Sequence, residues 1–257
     1  MAWSVRGIIK SKQREFAASI MDFTVAIDLQ PADYTQWINR SESRRLINDL
    51  DGAIADTTGA IRLRPEDSGY YLRRGKLEEI KGDLAAAFAD FDRGITLNPG
   101  NPVGFQSRGF ARDISGDFSR VLDDYEKSMS VPTWHTAYTG FWCLLLRQRL
   151  HLAANVHDLT AGLAEGSDEW TKTIAKFLGG SYDESAFLAA ATTDRDDVTA
   201  KRRCEAFYYA GMLRLLAREN AVGARELFEK CVATKVTSFS EYLLAKVELA
   251  RLDKAKN

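Results

Sequence analysis

Apolar and small residues recur along the first half of this chain with a helical spacing nested inside a longer period. Aromatic side chains stand at Trp3, Trp37, Tyr71 and Phe105, and each is followed three positions later by Arg6, Arg40, Arg74 and Arg108. A small residue comes next: Gly7, Ser41, Gly75, Gly109. Later in each period stand Asp22, Asp56, Asp90 and Asp124, then Phe23, Thr57, Phe91 and Tyr125. A second small column, Ala26, Ala60, Gly94 and Ser128, precedes Ile27, Ile61, Ile95 and Met129. Pro31, Pro65 and Pro99 are set 34 residues apart, and Pro132 closes a fourth copy one residue early. A fixed period of this length marks a protein of stacked units that cannot bury their apolar faces singly. Within each unit the pattern predicts two amphipathic helices: the small residues let them approach, and the prolines end the second.

These columns resemble the tetratricopeptide repeat (TPR), with its aromatic, its small–aromatic step and its closing proline. The third copy carries the resemblance best, through Tyr71, Gly75, Ala87, Phe91 and Pro99, with Gly82-Asp83 at the turn between its helices. The second departs most, with Ser41 for Gly, Arg44 where an aromatic is usual and Thr57 for Phe. The resemblance implies an all-α chain, a TPR α-solenoid in which helical hairpins stack into a right-handed superhelix. Four repeats are expected over about 1–33, 34–67, 68–101 and 102–132.

Residues 133–257 contain no proline and read as helices separated by Gly162, Gly166-Ser167, Gly179-Gly180, Asp194–Asp197 and Ser238. The run Phe207–Gly211 followed by Glu226-Leu227-Phe228 reads as a further, degenerate TPR over about 204–237, with one residue inserted between its glycine and its aromatic. The runs Glu169–Gly179 and Cys204–Gly211, together with Leu227-Phe228, Phe239, Glu241 and Leu249, resemble the C-terminal half of bacterial TPR lipoproteins of the NlpI type. That resemblance implies an adaptor on the periplasmic side of a membrane, often a homodimer, which brings proteases and cell-wall hydrolases together. The first cysteine is Cys143, so there is no lipobox cysteine near the start. From this chain alone the compartment is expected to be cytoplasmic, and periplasmic if a leader or lipid anchor has been removed.

Composition narrows the picture. With 35 Lys+Arg against 36 Asp+Glu the net charge is -1, which lacks the basic face that nucleic-acid binding by counterion release needs. Three cysteines exclude a disulfide scaffold, and an odd number of thiols fits a reducing compartment. The apolar run Phe141–Leu146 is far shorter than a membrane span, so no membrane insertion is expected.

Candidate chemistry is sparse. His151 and His157 are six apart, off one helical face, and His135 stands alone, so no metal is expected. Cys143 lies in Phe141–Leu144 and reads as a buried hydrophobe; no phosphate-binding, nucleophile-elbow or HExxH motif occurs. Neither catalysis nor a cofactor is expected. Lys201-Arg202-Arg203 reads as a solvated helix face, Asn39-Arg40-Ser41 as an accidental sequon, and Trp134, Trp142 and Trp170 as core aromatics. The Arg6/40/74/108 and Asp22/56/90/124 columns read as salt bridges between the two helices of a repeat.

Function is expected where the copies differ on the inner face of the first helices. In the TPR frame these positions are Asn39, Glu42, Arg45, Leu72, Arg73, Lys76, Glu79, Gln106, Phe110 and Asp113, with Leu46, Ile80 and Ile114 beside them. Charges of both signs among Leu, Ile and Phe suit a peptide held on an apolar strip with charged rims. A carboxylate-gripping TPR subclass would need Lys and Asn at Ser4, Ile8, Asn39, Gly69 and Arg73; only Asn39 and Arg73 have the required type. The leading expectation is a non-catalytic scaffold that binds a protein or peptide in a concave groove. The alternative is a structural or oligomerising repeat protein whose C-terminal helices fill that groove.

Overall fold

The structure is a computed structural model that describes residues 2–130, 136–153, 160, 167–217 and 220–255. Pro132, Trp134, His135 and His157 lie outside the described residues. Fourteen α-helices and no strand are present among those residues. The chain divides into two compact units, Met1–Ser115 and Gly116–Asn257.

The first unit holds three hairpins, α1 (Ala2–Lys12) with α2 (Phe16–Leu29), α3 (Tyr34–Leu46) with α4 (Leu50–Leu63), and α5 (Ser68–Lys81) with α6 (Leu84–Leu97), followed by α7 (Pro102–Ser115). The 34-residue period is built into its turns. Leu29, Leu63 and Leu97 end the second helices, and Pro31, Pro65 and Pro99 follow at once. Asp33 and Asp67 then cap the next helices by accepting from the amides of Thr35 and Gly69, at 3.0 and 2.9 Å, and the Asn101 side chain accepts from Val103. Inside the hairpins, Asp49 and Asp83 accept from Gly52 and Ala86, both at 3.0 Å. One residue before the N-cap positions of α2, α4, α6 and the helix that begins at Phe118, which are Glu15, Asp49, Asp83 and Asp117, the backbone turns left-handed, at Arg14 (φ 65), Asn48 (φ 62), Gly82 (φ 93) and Gly116 (φ 85). Only two of these four residues are glycine, the one type that adopts this conformation freely.

Close approach explains the small columns. A Cβ on Gly7 or Gly75 would fall 2.8 or 2.7 Å from the ring of Phe23 or Phe91, so only a hydrogen leaves room for the aromatic. In the second hairpin a hydrogen-bonded pair takes over that joint. The Ser41 hydroxyl donates to the Ala53 carbonyl at 2.9 Å and lies 2.8 Å from the Thr57 hydroxyl. Ser41 and Thr57 therefore serve where the repeat usually has Gly and Phe.

Along the seam each arginine binds its aspartate with two parallel hydrogen bonds, Arg6–Asp22, Arg40–Asp56 and Arg74–Asp90, at 2.6–2.9 Å. Arg40 and Arg74 also reach back one hairpin, to the hydroxyls of Thr24 and Thr58 at 3.0 and 3.1 Å, and Arg108 reaches Asp92 at the equivalent position. Each arginine also lies over the ring three residues before it, 4.2–5.9 Å from its centre. The expected ladder is present in these three hairpins, and it joins neighbouring hairpins as well as the two helices of each.

The second unit comprises α8 (Phe118–Ser128), α9 (Thr136–Arg149), α10 (Glu169–Leu178), α11 (Glu184–Ala190), α12 (Asp196–Leu216), α13 (Ala221–Ala233) and α14 (Ser240–Lys254). The 21-residue α12 is its hub and packs against α9, α10, α11, α13 and α14. Phe141–Leu146 of α9 are all buried, as an apolar run without helical alternation requires. Phe187 stacks between Trp170 and Phe177, and Phe141 meets Tyr209 edge to face. Gly211 on α12 faces Phe228 on α13, and a Cβ there would lie 2.7 Å from the ring. This repeats the Gly75–Phe91 joint of the first unit.

Candidate functional site

The inner-face positions chosen from the sequence lie on α3, α5 and α7, where the structure draws six of them into two polar groups. In the first, the Arg45 guanidinium donates to both oxygens of Glu42, at 3.0 and 2.5 Å, and Arg73 reaches across from α5 to the same carboxylate at 3.1 Å. The hydrogen bond from Arg45, reinforced by the charges of both arginines, holds the Glu42 carboxyl below its ordinary range. All three side chains are 38% exposed, so the group faces solvent and its energy is screened.

In the second group, Lys76 Nζ pairs with Glu79 Oε1 at 2.5 Å and lies over the Phe110 ring, 4.7 Å from its centre. Glu79 is buried, and its Oε2 has no hydrogen-bond partner among the described residues. Burial outweighs the neighbouring Lys76 and pushes the Glu79 carboxyl above its ordinary range.

The remaining positions behave differently. Leu72 is only 7% exposed and belongs to the core with Ala87, Phe91 and Ala111. It can turn inward because Gly94 leaves room: a Cβ at Gly94 would be 2.4 Å from Leu72 Cδ2. Asn39 is half-buried, and its carbonyl accepts from the Ser43 hydroxyl at 3.2 Å. Gln106 is half-buried and Asp113 buried on α7. Leu46 and Ile80, one repeat apart, remain 44% and 47% exposed, so this face pairs ion-bonded charges with open apolar side chains. Away from it, an open hollow of about 540 Å³ lies between the α4–α5 turn and the end of α6, lined by Leu63, Pro65, Asp67, Leu97 and Asn98 among others.

Two features of the second unit were not singled out from the sequence. Glu205 and Glu241 are both buried; Trp170 Nε1 donates to Glu205 Oε2 at 2.6 Å, and the Tyr209 hydroxyl donates to Glu241 Oε1 at 3.1 Å. Burial, and then the charge of Glu241, pushes the Glu205 carboxyl up to about 8, and burial raises Glu241 in the same direction. The pair is thus held towards its neutral form inside the core. Beside it, Cys204 and Cys231 bring their sulfurs to 3.5 Å. Partners 27 to 35 residues apart, outside any period, leave no sequence signal. Among the described residues no group of three or more His, Cys, Asp or Glu is arranged to hold a metal ion, and no helix is long and apolar enough to cross a membrane.

No protein-family model matches this chain, and no curated protein matches it in sequence. Solved structures do match in fold. A tetratricopeptide repeat protein from Parabacteroides merdae is 14% identical with a TM-score of 0.61, over 96% of this chain and 97% of that one. The MamA protein is 15% identical with a TM-score of 0.57, over 71% of this chain and 94% of that one. A chain of the APC/C hetero-tetramer Cut9–Hcn1 is 14% identical with a TM-score of 0.57; there this chain is covered to 97% but spans only 42% of the longer one. At such identities the likeness concerns architecture alone, and with the period, the joints and the seams described above it establishes an all-α, TPR-like solenoid fold.

Proposed function

We propose that this chain is a non-catalytic scaffold that binds a protein or peptide partner on the inner face of α3, α5 and α7. The reading rests on one observation. Repeats that keep their aromatic, small-residue, arginine and aspartate columns differ on this face, where Glu42, Arg45, Arg73 and Lys76 flank the exposed Leu46 and Ile80. Residues that build a repeat recur in every copy, whereas residues that select a partner need not. Apolar side chains beside adjustable ion pairs suit a peptide that contributes its own apolar anchors and exchanges salt bridges at the rim. Arg73 would then trade Glu42 for a carboxylate of the partner, and Asn39 would donate to its backbone.

The finer reading, an NlpI-like periplasmic adaptor that acts as a dimer, is supported by the sequence resemblance of the Glu169–Gly179 and Cys204–Gly211 runs, Leu227-Phe228, Phe239, Glu241 and Leu249.

The test compares proteins captured from the source cells by the wild-type chain and by Leu46→Ser/Arg73→Ala/Ile80→Ser. All three substituted side chains are at least partly exposed, so helicity and melting are expected to stay as in wild type. Lys76 is left intact, because its loss would strand the buried Glu79. Proteins held by wild type and lost by the still-folded variant support the reading, and an unchanged set refutes it.

A further inference from the structure

We propose that Cys204 and Cys231 are a modification site of the second unit: a dithiol pair that closes to an intrachain disulfide by exchange with a low-molecular-weight disulfide of the glutathione class. The two sulfurs lie 3.5 Å apart on neighbouring helices, α12 and α13, and neither residue is exposed at all. A disulfide needs about 2.05 Å between its sulfurs, so the closure required is about 1.5 Å. The helix pair is already held close, by Gly211 on the Phe228 ring at one level. At the level of the thiols, the Cys231 sulfur also lies 3.7 Å from the Glu241 carbonyl on α14.

The pair is set apart from the third thiol. Cys143 is buried on α9, where burial pushes its thiol up to about 12 and leaves it almost wholly protonated. Between the paired thiols, the close contact with Cys231 holds the Cys204 thiol below its ordinary range, whereas the same contact and burial raise Cys231. Cys204 is accordingly the attacking sulfur and Cys231 the resolving one.

In the first step the Cys204 thiolate attacks one sulfur of RS–SR. An S–S bond to Cys204 forms, the RS–SR bond breaks, and one RS⁻ leaves. Cys231 then gives its proton to that thiolate and attacks the Cys204 sulfur, expelling the second RS⁻, which takes up the proton that Cys204 lost. The protein loses two hydrogens and two electrons, and RS–SR is reduced to two RSH. Because both thiols are buried, reagent enters only when the α12–α13 hairpin opens or while the chain folds. Once closed, the bond ties the hub helix of the unit across a separation of 27 residues and restrains the unfolded chain.

The full chain is incubated, folded or refolded from denaturant, in a buffer of reduced and oxidised glutathione, then denatured, alkylated and cut with trypsin. Cleavage after Arg203 and Lys230 places the two cysteines in separate peptides, 204–214 and 231–235. The expected product joins these two peptides with a mass about 2 Da below their sum, leaves Cys143 alkylated, and melts several degrees higher than the reduced chain. Cys231→Ala should retain glutathione on Cys204 and show no such rise. Refolding in the same buffer removes the access barrier. Three fully alkylated thiols after refolding, or a crosslink through Cys143, would therefore overturn the proposal, whether or not the alanine variant folds.

Discussion

The two units use the same hairpin joint, but the Arg–Asp seams of the first and the Glu205–Glu241 pair of the second hold buried carboxyls in opposite ways. In the first, Gly7 and Gly75 accept the rings of Phe23 and Phe91, and the ionised groups run along the seams as Arg–Asp pairs. In the second, Gly211 accepts Phe228 in the same way, but Glu205 and Glu241 lie inside the core against Trp170 and Tyr209. A seam arginine stabilises the charged form of its carboxylate, and an apolar core stabilises the neutral form. One architecture therefore supports two electrostatic solutions with opposite responses to pH.

The largest expected effect tests the shared joint. Phe91→Ala and Phe228→Ala each remove a fully buried ring and should each cost about 3–5 kcal/mol, read from denaturant midpoints at constant slope. A cost below about 1 kcal/mol for Phe228→Ala alone would mean that the degenerate repeat is not held by the joint of the first unit.

Next is the seam. The Asp56 side chain is only 2% exposed and receives Arg40 and Arg44, so Asp56→Ala leaves two guanidinium groups facing a buried gap. It should cost about 3 kcal/mol, and less in Arg40→Ala/Asp56→Ala, where a double-mutant cycle isolates the pair.

The pH response separates the Glu205–Glu241 pair from the Arg–Asp seams directly. Glu205 titrates near 8 in the folded chain and at about 4.3 when unfolded. The stability it confers is therefore complete below the unfolded value and is lost as pH rises through the folded one, by about 1 kcal/mol per pH unit between 5 and 7. Asp22 is held down to about 2 by Arg6, so its contribution is present above the ordinary carboxylate range and is lost as pH falls through 2. Hydrogen exchange followed peptide by peptide should show α12 and α14 loosening towards alkaline pH and α1 and α2 towards acid. Glu205→Gln should flatten the loss between pH 5 and 8 and leave the acid limb as it is; an unchanged loss would contradict the assignment.

The smallest effect concerns the left-handed turn. Arg14→Gly should raise stability by about 1 kcal/mol, because φ there is 65°, while Gly82→Ala, at the same point of the period, should lower it by a similar amount.

These elements also show what the sequence could and could not reveal. The period, the Gly–aromatic joints and the Arg–Asp seams were legible because each is repeated, and one residue type at each position is enough to recognise it. The candidate face was legible only as a set of positions. Leu72 turns into the core because Gly94, on another helix, makes space for it, and Glu79 is buried while its apolar neighbour Ile80 is exposed. The left-handed turns at Arg14 and Asn48 carry no glycine to announce them. In the second unit, Glu205 with Trp170, Glu241 with Tyr209 and Cys204 with Cys231 meet once each, across separations that follow no period.

The most direct test of the scaffold reading places a photo-crosslinking amino acid at Leu46, at Ile80 or at Met21, the last being 70% exposed on α2, a second helix of its hairpin. The account predicts that positions 46 and 80 trap the same protein from the source cells while position 21 traps none of it. Adducts at position 21 with none at 46 or 80 would contradict it and move the working surface off the inner face.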